Sequence, residues 1–177
     1  MNRTGEPRLS LSTMTPDQPE LDERVRAALD ASGLPYDVLP CEEHLADTEA
    51  FSKHYGFPME NNANTILVAS KRGPKRYSAC VLLATTSLDV NNAVKRQMGV
   101  SKASFANAEE TAELTGMLIG GVTAFGLPDD VPLFVDERVM QRDWIILGGG
   151  NRTSKVKASP EILRHAPGMT VVADLAK

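Results

Sequence analysis

Eleven residues near the middle of the chain, Gly116 to Gly126, read Gly-Met-Leu-Ile-Gly-Gly-Val-Thr-Ala-Phe-Gly. Four glycines break an apolar run that would otherwise continue as a buried strand, and no helical or coiled-coil period fits it. A residue without Cβ permits positive φ and lets backbone approach backbone or ligand closely. The pair Gly120-Gly121 is therefore a candidate floor or wall of a pocket, with a bulge or sharp bend as the competing reading. Either way the regular elements must be arranged around an irregular centre.

The flanking sequence supplies those elements. Leu21, Val25, Ala28 and Leu29 recur on one helix face that stops at Gly33, and Tyr36 to Leu39 reads as a strand. A helix is predicted from Asp47 to Tyr55, closed by Gly56. Thr65 to Ala69 and Tyr77 to Ala84 are β-rich runs joined by the polar turn Lys71-Arg72-Gly73-Pro74-Lys75, which predicts an antiparallel hairpin. A further helix spans Asp89 to Met98, and a brief strand covers Ser104 to Ala106. Asn107 with Glu110 three residues on forms the N-terminal signature of the helix that runs into the glycine stretch. Val131 to Val135, Trp144 to Leu147 and Met169 to Val172 read as strands, with a short turn or helix around Glu137 to Gln141. Ser159-Pro160-Glu161 opens a last helix.

Interleaved helices with an antiparallel hairpin and glycine corners point to an α+β, or mixed α/β, fold built on a curved, mostly antiparallel mixed sheet. Residues 1–20, with three prolines and scattered Ser, Thr and Arg, read as a disordered tail without the apolar core of a signal peptide, and residues 21–177 as one domain. Hydrophobic residues at 42% and charged residues at 24% are ordinary for a globular domain, and no apolar run is long enough for a membrane span. These features predict a cytoplasmic protein without a membrane partner.

Cys41 and Cys80 stand far apart and read as reduced thiols. With His44, His54 and His165 they form no metal-ligand spacing, so neither metal nor cofactor is expected. The net charge of −4 opposes nonspecific nucleic-acid binding by the surface as a whole, and no DNA partner is expected. Lys71, Arg72, Lys75 and Arg76 nevertheless concentrate in the hairpin turn, where they form either a phosphate-binding patch or an ordinary solvated surface. Gly148-Gly149-Gly150 is a second glycine cluster. It has no following Gly-Lys-Ser and reads as a strand-to-strand bend or an anion cradle.

Taken in order, Asn64-Thr65-Ile66-Leu67-Val68, Gly120 to Gly126, Phe134-Val135-Asp136, Gly148-Gly149-Gly150 and Ser159-Pro160-Glu161-Ile162-Leu163 resemble the YbaK/prolyl-tRNA synthetase-associated editing domain family over residues 21 to 177. The resemblance implies a free-standing deacylase that hydrolyses mischarged aminoacyl-tRNA at the 3′ end. In such proteins the ester lies between the sheet and a Gly-x-x-x-Pro loop, whose place Gly120 to Ala124 takes here. Backbone amides of Gly120 and Gly121 are then the expected oxyanion donors. Thr65, Val122, Thr123, Ala124, Gly148, Gly149 and Gly150 are the expected substrate-binding residues. Two positions depart from the family pattern. Asn64, the third residue of the expected catalytic set, stands where many members carry lysine, exchanging a cation for a neutral amide, and Ala124 stands where the loop usually has proline. The departures imply altered substrate choice, or alternatively a non-catalytic module that binds aminoacyl-tRNA or another small ligand.

Overall fold

The computed structural model describes residues 19–177. The tail expected over residues 1–20 lies almost wholly outside the described residues. Helix α1 (Glu23–Ala31) begins where the Asp22 carboxylate accepts from the Arg24 and Val25 amides, and it buries Val25 and Leu29 completely. Strand β1 (Tyr36–Pro40) follows, then α2 (Thr48–Tyr55), which ends on Gly56 in the left-handed conformation.

Strands β2 (Ala63–Ser70) and β3 (Tyr77–Leu83) form the predicted antiparallel hairpin, in register from Ala63↔Leu83 to Ala69↔Tyr77. One π-helical turn, Val90–Val94, runs into α3 (Lys95–Met98), so the helix expected over Asp89 to Met98 is wider at its start than an α-helix. Strand β4 (Ala103–Phe105) and helix α4 (Ala108–Thr115) come next. The Asn107 side chain caps α4 by accepting from the Glu110 amide at 2.8 Å. After the glycine stretch come β5 (Leu133–Asp136), α5 (Glu137–Met140), β6 (Ile145–Gly148) and β7 (Ser154–Ala158). A 3-10 helix, Pro160–His165, precedes β8 (Met169–Val172).

The fold is α+β with mixed strand directions, and the strands divide between two sheets. The larger has the order β4-β2-β3-β5-β8, antiparallel on the β2 side and parallel from β3 through β5 to β8. The smaller, β1-β7-β6, is antiparallel throughout. The main core lies between them. Leu67, Val81, Leu83, Leu133 and Val135 from the first sheet meet Ile145, Leu147, Val156 and Ala158 from the second, with Val25 and Leu29 of α1 closing one side.

Two smaller clusters flank this core, one around Val68, Val94 and Phe134, the other around Phe51 and Ile146. Cys80 belongs to the first and Cys41 to the second; both are free thiols, and burial pushes Cys80 up to about 12. Among the described residues no helix is long and apolar enough to cross a membrane.

Candidate active site

Strand β2 is paired to β3 along its length, but its other edge is covered only at the two ends. Asn62 bridges Ile146 at one end, while Val68 to Ser70 pair with β4 at the other. Leu67 O accepts from Ala106 N–H and therefore points to the β4 side. Main-chain groups two residues apart on a strand point the same way, so the Thr65 N–H and C=O also face outward. They meet no strand partner among the described residues. The two sheets have parted here, leaving a free edge between them.

A cavity of about 240 Å3 occupies the gap. One wall is β2 from Asn62 to Leu67. The others come from Asp47 and Thr48 at the start of α2, Ala106 and Thr111 around the start of α4, Ile119, Gly120 and Val122 of the glycine stretch, Ile146 to Gly148 of β6, and Lys155 of β7. Asn64 is held in place because its side-chain oxygen accepts from the Thr48 hydroxyl at 2.6 Å, which leaves its amide nitrogen free of protein partners among the described residues. The Thr65 hydroxyl is buried without a partner. Asp47 sits exposed at the rim, and its carboxylate makes no capping bond to α2.

Lys155 is the buried charged group of this cavity. Alternation along β7 turns Val156 and Ala158 toward the main core and Lys155 toward the opposite face. The side chain is only 6% exposed, and its Nζ donates to Ala46 O at 2.7 Å and Gly120 O at 3.0 Å, 5.6 Å from the centre of the Phe51 ring. Burial, the largest effect, lowers its pKa from the ordinary lysine value. Cys41 and Asp47 oppose the shift, and Arg152 adds to it. Arg152 stands just outside, its guanidinium donating to Ile119 O and to Glu43 O.

The two glycine clusters of the sequence form one joint. Gly150 N–H donates to Gly121 O at 2.9 Å, and a Cβ on Gly121 would lie 2.5 Å from the Asn151 backbone. A Cβ on Gly148 would lie 2.4 Å from Val122 O. Both separations are closer than any side chain tolerates. Gly120 takes φ +92° in a turn closed by Gly121 N–H donating to Leu118 O at 2.9 Å, the positive φ a type II turn demands at its third residue.

This geometry corrects one expectation. The Gly121 amide is engaged inside the turn, so it is not a free oxyanion donor; the Gly120 carbonyl accepts from Lys155, and the Gly120 amide has no protein partner among the described residues. Of the other residues singled out by sequence, Asn64, Thr65, Val122, Gly148 and Gly120 converge on the cavity. Thr123 and Ala124 are buried away from it, Ala124 and its neighbour Phe125 lining a separate hollow with Pro128 and Ala166. Gly149 and Gly150 pack against the start of α1, where Gly149 O accepts from Asp22 N–H. Asp47, Thr48, Asn62, Thr111 and Lys155 are the polar cavity residues that sequence reasoning did not single out. The only signal for Lys155 was its place among β-compatible residues after a glycine bend, which equally describes a solvated strand.

The hairpin cations stand at the other end of β2 from Asn64, roughly 23 Å along the strand at about 3.3 Å per residue. Lys71 and Lys75 both pair with Glu110, at 3.8 and 3.3 Å, whereas Arg72 and Arg76 have no carboxylate partner among the described residues. No group of three or more His, Cys, Asp or Glu side chains among the described residues is placed to hold a metal ion.

Comparison with known proteins agrees with this architecture. The chain is 28% identical over 126 residues to the uncharacterized protein YwhH of Bacillus subtilis, covering 67% of this chain and 80% of that protein. It is 24% identical over 129 residues, 72% of this chain and 76% of the other, to EbsC of Enterococcus faecalis, which is named as a candidate Cys-tRNA(Pro)/Cys-tRNA(Cys) deacylase. The crystal structure of hypothetical protein APE2540 superposes with a TM-score of 0.77 at 28% identity, covering 88% of this chain and all of that one. The profile of the aminoacyl-tRNA editing domain matches residues 42–166, a span that holds the free edge of β2, the glycine joint and Lys155. The chain belongs to the aminoacyl-tRNA editing domain family.

Proposed function

We propose that this protein is a deacylase acting in trans on mischarged aminoacyl-tRNA, with the terminal ester held in the cavity between the two sheets. The observation that carries the reading is the unpaired β2 edge opening into a small, partly polar cavity within the family's matched region. An ester needs a positioned water and donors for the developing oxyanion; it requires no ionisable nucleophile. The free Thr65 N–H supplies one such donor. Asn64, held by Thr48, presents its amide to the substrate in place of a lysine, and Val122 and Gly148 shape the wall. This change of lining supports an altered choice of amino acid. The relative named for Cys-tRNA deacylation supports the reaction class.

The test is a panel of twenty charged tRNAs under single-turnover conditions. At least one amino acid is expected to be released well above the no-enzyme rate. The no-enzyme rate throughout would overturn the proposal.

One observation favours a second reading, a binding module without hydrolysis. The Gly121 amide is consumed in its own turn, and the position of the family's lysine is neutral. On that reading the protein binds a non-hydrolysable aminoacyl analogue and leaves every ester intact.

A further inference from the structure

We infer that Lys155 is a catalytic residue of this site: its ammonium donates to the carbonyl oxygen of the substrate ester and holds the negative charge that develops there. This rests on the deacylase reading and goes beyond it, because the cation comes from β7 and not from the β2 position at which the family resemblance placed one.

An ammonium has three N–H donors, and Lys155 uses two on protein carbonyls, Ala46 O and Gly120 O. No carboxylate lies within ion-pair distance of it among the described residues. A buried cation without a counter-ion is costly, and two carbonyl dipoles compensate only in part. A purely structural clamp does not account for it. Arg152, three residues earlier, already ties the same two segments together through Ile119 O and Glu43 O. Lys155 duplicates that link while lining the cavity, with one of its three donors left without a protein partner among the described residues.

The burial of Lys155 selects the ligand group. A phosphodiester lies within a chain and needs room to enter and leave, whereas an aminoacyl ester terminates the tRNA and reaches a buried floor. The ester's own ammonium is repelled by Lys155 and drawn to the exposed carboxylate of Asp47 at the rim, which turns the carbonyl inward. Thr65 N–H on the free edge is the second donor. Water adds to the carbonyl carbon, its proton passes to the ribose oxygen as the C–O ester bond breaks, and the products are the free amino acid and a tRNA with its terminal hydroxyl restored.

The protonated lysine is the active form, so the rate falls on the alkaline side as Lys155 loses its proton. That loss comes at lower pH than for an exposed lysine, because burial and Arg152 favour the neutral form while Cys41 and Asp47 oppose them. An arginine stays charged throughout.

Lys155→Met, Lys155→Arg and Arg152→Met are compared with the parent on its best tRNA, with the no-enzyme rate subtracted at each pH. Lys155→Met is expected to lower the single-turnover rate about 100-fold or more without changing tRNA affinity, the usual loss for one oxyanion donor. Lys155→Arg is expected to retain part of the rate and to lose the alkaline fall. Arg152→Met is expected to lower the thermal midpoint more than the rate. A folded Lys155→Met protein as fast as the parent would overturn the inference alone. Should Lys155→Met fail to fold, an alkaline fall that persists unchanged in Lys155→Arg would do the same. A parent inactive on all twenty tRNAs overturns the deacylase reading and this inference together.

Discussion

Asn64 and Lys155 line one cavity, the first with a neutral amide and the second with an ammonium. The Asn64 oxygen is committed to Thr48, so the residue is fixed in orientation and contributes only a neutral donor. Lys155 reaches the same cavity from a different strand and a different sheet. Placing a second ammonium beside the first is therefore unfavourable, and Asn64→Lys also abolishes the Thr48 hydrogen bond. For an active parent, Asn64→Lys is expected to slow single-turnover deacylation about tenfold, the equivalent of roughly 1.4 kcal/mol. The measurement also separates the two functional readings, since hydrolysis created by Asn64→Lys in an inactive parent would favour the binding module. The lowered pKa of Lys155 affects stability with a definite sign. Between its lowered folded value and its ordinary unfolded value the unfolded chain binds more protons, so the penalty of burying this ammonium fades as pH rises through that window.

At the scale of elements, the glycine stretch and the β6–β7 bend act as a single unit. Gly121 and Gly148 permit a backbone-to-backbone approach that sets Val122 against β6 and so fixes the cavity wall. Gly148→Ala would drive a methyl group to 2.4 Å from Val122 O, a main-chain atom that cannot swing aside. We expect it to destabilise the fold by about 1–3 kcal/mol, in the range of overpacked cores, measured as a lower urea midpoint with unchanged slope. The rate on the preferred tRNA should fall as well, because the displaced loop carries Gly120 and its hydrogen bond to Lys155. A midpoint equal to that of the parent would show that the joint is more yielding than its geometry implies. That these glycines mattered was legible in the sequence; that they touch each other was not. Each cluster by itself looks like a bend or a ligand cradle, and only the folded chain makes them two halves of one joint.

For the molecule as a whole, the hairpin tip and the cavity lie at opposite ends of the paired length of β2. Glu110 partly neutralises Lys71 and Lys75, which leaves Arg72 and Arg76 as the cations available to a phosphate backbone. Neutralising both arginines to glutamine is expected to reduce the slope of log affinity against log salt by about 0.7–0.9 for each phosphate no longer neutralised, and more than the same change at the two lysines. An unchanged slope would assign the tip to ordinary surface. The cap at Asn107, the β2–β3 hairpin and the glycine corners were determined by the sequence alone, because each depends on the chemistry of a few neighbouring residues. Only the tertiary structure decided that the strands part into two sheets, that the edge of β2 is left free between them, and that Lys155 is buried there. The cavity draws on six segments spread between residues 47 and 155, and whether a strand edge is paired or a lysine solvated depends on what packs beside it, which no local pattern records.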